Sequence, residues 1–237
     1  MSKKNSSVVL KETFKNHKDF TCVYLLLKKK ISLIKDKALL VAVSGGPDSL
    51  ALTALAKLYS EEHECKIYYA LIDHNLRRNS SKEALSVKKL LKKKKIFLHI
   101  LKNKKKISRN IQSEARFIRY QLLINFCKLK KIRNILTAHN LEDQVETFFI
   151  RLSRGSGIHG LSSMKQNYKL DGNINLVRPL LEVKKTKLKR VSKIFFGRFY
   201  KDPTNKNTKY LRTRIRNLKN SIEKSGISYD QIFKSIT

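Results

Sequence analysis

The run Ser44-Gly45-Gly46-Pro47-Asp48-Ser49 combines small residues, two hydroxyls and a carboxylate. Small residues let backbone N–H groups close on an anion, and a helix that starts there adds a favourable dipole. The run lies between the unbroken apolar stretch Ala38 to Val43 and a segment carrying Leu50, Leu52, Leu55, Ala56 and Leu58. It therefore reads as the turn from a buried strand into a helix. Such a turn can be purely structural, with Ser49 or Asp48 as the helix cap. The two serines, the aspartate and the strand context favour a phosphate cradle. No Gly-Lys-Ser/Thr follows, so the lysine with which a Walker loop reaches the terminal phosphates is absent.

A second constellation follows at 141–152. Leu141, Val145, Phe148, Phe149 and Leu152 fall at i, i+4, i+7, i+8 and i+11, which predicts one buried helical stripe. Asp143 and Glu146, at i and i+3, project together from the opposite side. An acidic first turn capped by Asn140 would account for Asp143 and leave Glu146 unexplained. In a chain with 18 acids, the pair beside a strand end points to a site. Just before it, His139 has no second His or Cys at ligand spacing, so it is read as a polar group near phosphate rather than a zinc ligand.

Other candidates are less specific. Asp73 and His74 end a predicted strand and either cap a turn or contact a nucleotide. Arg116, Arg119 and Tyr120 share one flank of a predicted helix over 110–130, whose core side takes Ile111, Ala115, Ile118, Leu122 and Phe126. Those arginines are either a solvated face or contacts to a phosphate or a base. Arg212 and Arg216, at i and i+4, are candidate phosphate contacts. The runs Lys92 to Lys95 and Lys104 to Lys106 carry nonspecific RNA affinity only.

The elements that must position these groups alternate. Strands are predicted at 38–43, 66–72, 96–101 and 134–138, and helices at 19–34, 80–94, 110–130 and 141–152. Strand and helix in turn imply parallel pairing with right-handed crossovers, hence an open α/β sheet covered on both faces. Ligands of such sheets sit at the carboxyl ends of the strands, where Ser44 to Ser49, Asp73-His74 and His139 fall. Beyond Arg154 come a Gly-rich connector, an extended piece around Ile174 to Val177, and basic helical stretches at 183–196 and 210–223. The expected division is an N-terminal extension and packing helix (1–35), a nucleotide-binding core (36–154) and a basic helical region completing the domain (155–237).

The chain has 237 residues, 53 Lys and Arg against 18 Asp and Glu, a formal charge of +35 and a pI near 10.3. That is enough chain for one good core, and the charge makes a polyanion such as nucleic acid the natural partner, with an anionic membrane as rival. No apolar stretch approaches the roughly 20 residues that cross a bilayer. The three cysteines, Cys22, Cys65 and Cys127, suggest neither a disulfide framework nor a zinc site, and so a reducing compartment. No secretory leader opens the sequence and the first thirty residues hold no Arg, so the expected location is cytoplasmic. Eleven Phe and nine Tyr argue against global disorder.

Ser-Gly-Gly-x-Asp-Ser resembles the loop of the PP-loop enzymes that split ATP into AMP and pyrophosphate. Further runs resemble the tRNA(Ile)-lysidine synthetase family in order: Asp73-His74-Asn75-Leu76-Arg77, Glu114 to Tyr120, Thr137 to Thr147, Arg151 with Arg154-Gly155-Ser156-Gly157, Arg178-Pro179-Leu180-Leu181, Asp202-Pro203-Thr204-Asn205, and Arg212 to Arg216. Together they span most of the chain. The resemblance implies a Rossmann-like PP-loop fold, ATP and Mg²⁺, free L-lysine, and a tRNA(Ile) with a CAU anticodon whose wobble cytidine becomes lysidine. It implies that Ser44, Gly45, Gly46, Pro47, Asp48, Ser49, Asp73 and His74 bind nucleotide. Asp48, Asp143 and Glu146 would be catalytic, with Asp48 and Asp143 at the metal. Arg77, Arg116, Arg119, His139, Arg151, Arg154, Arg212 and Arg216 would meet tRNA or phosphate. It admits a homodimer and implies no membrane partner. Longer members carry extra C-terminal domains that help recognise tRNA, so this chain reads as a short form. A tRNA thiolase on the same loop, and a catalytically silent RNA-binding protein of the same fold, are the alternatives.

Overall fold

The computed structural model describes residues 17–76, 79–105, 107, 111–200 and 207–237. Arg77 and the 202–205 run fall outside these. Strand β1 (Ala38–Val43) lies between β2 (Lys66–Asp73) and β4 (Asn134–Leu136), parallel to both. β3 (Leu98–Lys102) flanks β2, and β6 (Ile174–Val177) runs parallel beside β4. β5 (Asn167–Asp171) closes the sheet as an antiparallel edge on β6, giving the order β3-β2-β1-β4-β6-β5. The winding moves outward from β1 through β2 and β3, then returns to β4 on the other side of β1. That reversal opens a crevice at the carboxyl ends of β1 and β4.

The apolar run of β1 shows why it is central. Side chains of a strand alternate between faces, so Leu39, Val41 and Val43 enter one core and Leu40, with Ala38 and Ala42, the other. The first core is covered by α1 (Lys18–Ser32), α2 (Pro47–Glu62), α3 (Ser80–Lys92) and α7 (Lys185–Phe196). Phe20, Val23, Tyr24 and Leu27 of α1 are buried at the spacing read from the sequence. The second core is covered by α4 (Ile111–Lys130) through Leu123, Ile124, Phe126 and Cys127. Here the expected stripe is corrected: Ile111, the first residue of the helix, is exposed, and Leu123 with Ile124 fills the core.

Helix α5 (Leu141–Leu152) has the predicted bounds. Leu141 and Val145 are buried and Phe148 and Phe149 are partly buried, whereas Leu152 is exposed. What covers this stripe is α10 (Tyr229–Ile236), through Tyr229 and Ile232. The chain also forms α6 (Ile158–Leu161), α8 (Leu211–Asn217) and α9 (Lys219–Lys224), the last two in place of one predicted helix. β5 and α10 were not predicted. β5 is a polar, mostly exposed edge without apolar alternation, and α10 is barely two turns long. No helix among the described residues is long and apolar enough to cross a membrane.

Candidate active site

The turn after β1 is built on Gly45, whose φ of +80° is left-handed. A Cβ there would stand 2.6 Å from Cγ2 of Val87 on α3, so only glycine fits on both counts. The turn is braced internally: Ser44 N–H donates to Ser49 Oγ at 3.1 Å, the two hydroxyls are 3.0 Å apart, and Ser49 Oγ donates to Gly46 O at 3.0 Å. Gly46 caps α2 without a side-chain acceptor, and Pro47 follows. The N–H groups of the first helical turn therefore have neither a helical carbonyl nor a capping oxygen, the arrangement that accepts an anion.

Asp48 stands beside this opening. Its Oδ2 lies 3.5 Å from Lys185 Nζ, and its Oδ1 is buried without a partner among the described residues. Burial pushes the Asp48 carboxyl up to about 6; Lys185 opposes the rise, and Asp143 and Glu142 add to it. Three acids thus gather at one point of a chain with a charge of +35.

The other acids come from the first half of α5. Asn140 Oδ1 accepts Asp143 N–H at 3.0 Å while Asp143 Oδ2 accepts Asn140 N–H at 3.2 Å, a reciprocal cap. The second Asp143 oxygen is 3.3 Å from Arg212 Nη2. Glu146 is 2% exposed. Arg212 Nε donates to its Oε2 at 2.8 Å, and Arg216 donates through Nε to Oε1 at 2.7 Å and through Nη2 to Oε2 at 2.8 Å. Both arginines, expected at phosphate, turn inward from α8 onto the acids. Glu142 is buried and accepts the backbone N–H of Lys185 at 2.8 Å, with Lys219 Nζ at 3.5 Å.

A wall of cations faces them. His139 follows β4, and its Nδ1 lies 3.0 Å from Thr137 Oγ1. Burial pushes the His139 imidazole down to about 3, helped by Arg178, Arg212, Arg116 and Arg119 in that order. The ring is neutral at working pH, and four guanidiniums converge on it. Arg178 is buried and donates to Lys165 O at 2.7 Å; Arg116 lies 5.0 Å over the Tyr120 ring. His74 is pushed down to about 4 by burial and then by Arg119, with Asp73 opposing. Burial raises the neighbouring Asp73 carboxyl, but opposing influences led by the hydrogen bond from Ser81 Oγ (2.5 Å), with Asn75 N–H (3.0 Å) and the Lys102 charge among them, hold it below the usual range.

The crevice therefore brings together Ser44 to Ser49, Asp143, Glu146, His139, Arg116, Arg119 and Arg212, with Arg216 behind. Arg151 lies apart, donating to Ser162 O, and Arg154 is exposed. Sequence reasoning gave no role to Glu142, Arg178 or Lys185, although the first two lie in runs that carry the family resemblance. Arg178 has a signal, a lone arginine leading Pro-Leu-Leu after a strand; Lys185 has none in a chain with 53 basic residues. Among the described residues no group of three His, Cys, Asp or Glu could hold a metal on its own. Magnesium needs less, because one or two carboxylates with substrate phosphates and water complete its shell. Asp48, with its unpartnered Oδ1, fits that role.

The chain is similar to known proteins over most of its length. A family model described as a PP-loop domain matches residues 18–221. Among curated proteins, the chain is 41% identical over 187 residues to a tRNA(Ile)-lysidine synthase of Orientia tsutsugamushi (strain Boryong), covering 78% of this chain and 42% of that protein. It is 38% identical over 194 residues to the enzyme of that name from Rhodopseudomonas palustris, covering 80% and 55%. The chain thus spans roughly half the length of the curated relatives it matches. Among solved structures, the U34-tRNA thiolase NcsA from Methanococcus maripaludis with its [4Fe-4S] cluster superposes with a TM-score of 0.71 at 15% identity, over 92% of this chain and 81% of that one. At that identity the likeness concerns the fold.

Proposed function

Since the chain belongs to the PP-loop domain family, we propose that it uses ATP to adenylate a tRNA base and then joins free L-lysine to that base. The base is the wobble cytidine of a tRNA(Ile) with a CAU anticodon. The observation that carries this reading is the meeting, at one crevice, of an open phosphate turn with a cluster of paired acids and arginines. The curated relatives' name, tRNA(Ile)-lysidine synthase, supports the choice of substrates.

In this reading the Ser44 to Ser49 turn binds the ATP phosphates through its N–H groups and hydroxyls. Asp48, with Asp143 near it, would hold Mg²⁺, which when bound neutralises phosphate charge. The cytidine O2 attacks the α-phosphate; the bond to pyrophosphate breaks and an O-adenylated base forms. The ε-amine of lysine then attacks C2, loses its proton, and AMP departs with the former O2. Adenylation is required because a pyrimidine carbonyl oxygen is otherwise a very poor leaving group.

Free lysine carries two ammonium groups and one carboxylate. Asp143 and Glu146 offer charge for an ammonium, and Arg212 and Arg216 beside them offer it for the carboxylate. One of these acids takes the proton the amine must shed before it attacks. His139, neutral amid Arg116, Arg119, Arg178 and Arg212, keeps a strongly positive wall without adding a charge to it. That wall suits the α-phosphate or an RNA phosphate. An anticodon loop already exposes its bases, which lowers the cost of bringing one into the crevice. The reaction would take place in the cytoplasm, where tRNA, ATP and lysine are all present.

A thiolase reading draws no support from the cysteines. Cys22 is exposed on α1, Cys65 is partly buried in the connection before β2, and Cys127 is buried on α4.

The test is to incubate the protein with ATP, L-lysine and a tRNA(Ile) transcript, digest the RNA and weigh the nucleosides. Lysidine in place of cytidine is the expected product, with lower lysine incorporation by Asp143→Ala. Cytidine left intact while ATP is consumed would remove the ligase reading, and undiminished incorporation by Asp143→Ala would remove that residue's role.

A further inference from the structure

The turn after β1 has no lysine of its own, yet a lysine stands over it from 140 positions along the chain. Lys185 is the first residue of α7. Its side chain is 24% exposed, and Nζ lies 3.5 Å from Asp48 Oδ2. Its position is set by three restraints. Its backbone N–H is tied to buried Glu142 at 2.8 Å. Behind it, Leu188, Val191 and Phe195 pack into the core shared with Leu50, Leu55 and Leu58 of α2, the helix that leaves the turn. Just past the far end of α7, Tyr200 N–H donates to Gly45 O at 3.0 Å. The segment 185–200 therefore grips the turn at both ends, and the gap between Lys185 and the turn is held by packing.

The pairing of Lys185 with Asp48 is incomplete. At 3.5 Å it is longer than a charge-assisted hydrogen bond, and the other Asp48 oxygen is left buried without a partner. An ammonium with spare donors at the mouth of an anion-accepting turn suits a phosphate group, and the unsatisfied carboxylate beside it suits the cation that accompanies such a group.

We propose that Lys185 is a phosphate-binding residue of this site: its ammonium contacts the pyrophosphate half of an ATP seated in the Ser44 to Ser49 turn and stays with it as the bond to the α-phosphate breaks. A lysine from a distant helix thereby does what a Walker loop does with a lysine in its own sequence. A point cation there offsets the negative charge that gathers on the departing pyrophosphate. This inference rests on the reading that the turn binds ATP.

The test measures binding of ATP, pyrophosphate and AMP by calorimetry, without tRNA or lysine, to the wild-type chain and to Lys185→Met, Lys185→Gln and Lys185→Arg. Both neutral variants should weaken ATP and pyrophosphate by about tenfold or more and leave AMP within about twofold. Lys185→Arg should keep most of the ATP affinity. Lys184→Met, which removes an exposed lysine paired with Asp230 of α10, should change none of the three. Every variant keeps the backbone bond to Glu142, and a thermal melt of each checks its fold. Equal weakening of ATP and AMP would overturn the proposal, because a lysine that only balances Asp48 does not distinguish them; so would unchanged ATP binding. A wild-type chain that binds neither ATP nor pyrophosphate would overturn the nucleotide reading itself.

Discussion

Arg216 closes a fork on Glu146: Nε meets Oε1 at 2.7 Å and Nη2 meets Oε2 at 2.8 Å, across 70 positions of sequence. Arg212 adds a third bond to the same carboxylate. A buried acid whose two oxygens accept three bonds from two guanidiniums fixes α8 against α5, so the bond network that shapes the crevice also anchors the C-terminal helices.

Glu146→Gln should therefore lower stability as well as activity. It leaves two partly buried guanidiniums facing a neutral amide, at a cost of roughly 2–4 kcal/mol. Urea titration of the two proteins measures it. An unchanged midpoint would show that α8 is held by its apolar contacts alone.

Gly45→Ala should cost about 1–3 kcal/mol from its left-handed φ and its collision with Val87. Adding Val87→Ala should recover only part of the loss, because it removes the collision and not the backbone strain. Full recovery in the double variant, read by denaturant unfolding, would mean that φ at this position imposes no cost.

Asp48→Asn should separate stability from function. The wild-type carboxylate is buried with one oxygen unpartnered, and its raised value of about 6 is the mark of that penalty. Removing the charge should stabilise the ligand-free protein at pH 8 by about 1 kcal/mol or more, while ATP binding is lost. A fall in melting temperature would contradict the first half, and retained ATP affinity the second.

His139→Gln should flatten the acid side of the stability profile. The folded ring, near 3, lies below its usual value of about 6.5, so the unfolded chain takes up the proton first. The stability from His139 is complete above about pH 6.5 and drains away as pH falls towards 3. His74 acts in the same direction and stays in the variant, so the slope should shrink rather than vanish. Unfolding free energies at pH 5 and pH 7 give the slope, and identical slopes would show that His139 is protonated in the folded state.

Much of the fold and part of the site could be read from residue order, because those features depend on near neighbours. The unbroken run of β1, the helical spacing of α1 and the bounds of α5 follow from local periodicity. The glycine turn after β1 follows from small residues between a strand and a helix, and the Asn140–Asp143 cap from a three-residue spacing. Where periodicity is absent, as in polar β5, or the element is as short as α10, there was nothing to read.

Sequence alone also determined that 53 basic residues outnumber 18 acids, and that Asp48, Asp143 and Glu146 are the acids to examine. Only the tertiary structure decided what those acids meet. Arg212 and Arg216 reach Glu146 and Lys185 reaches Asp48 through the sheet order and the packing of α7 and α8, over separations that no spacing rule encodes. In so basic a chain one lysine looks like the next; burial and distance are what distinguish them, and both are properties of the folded chain.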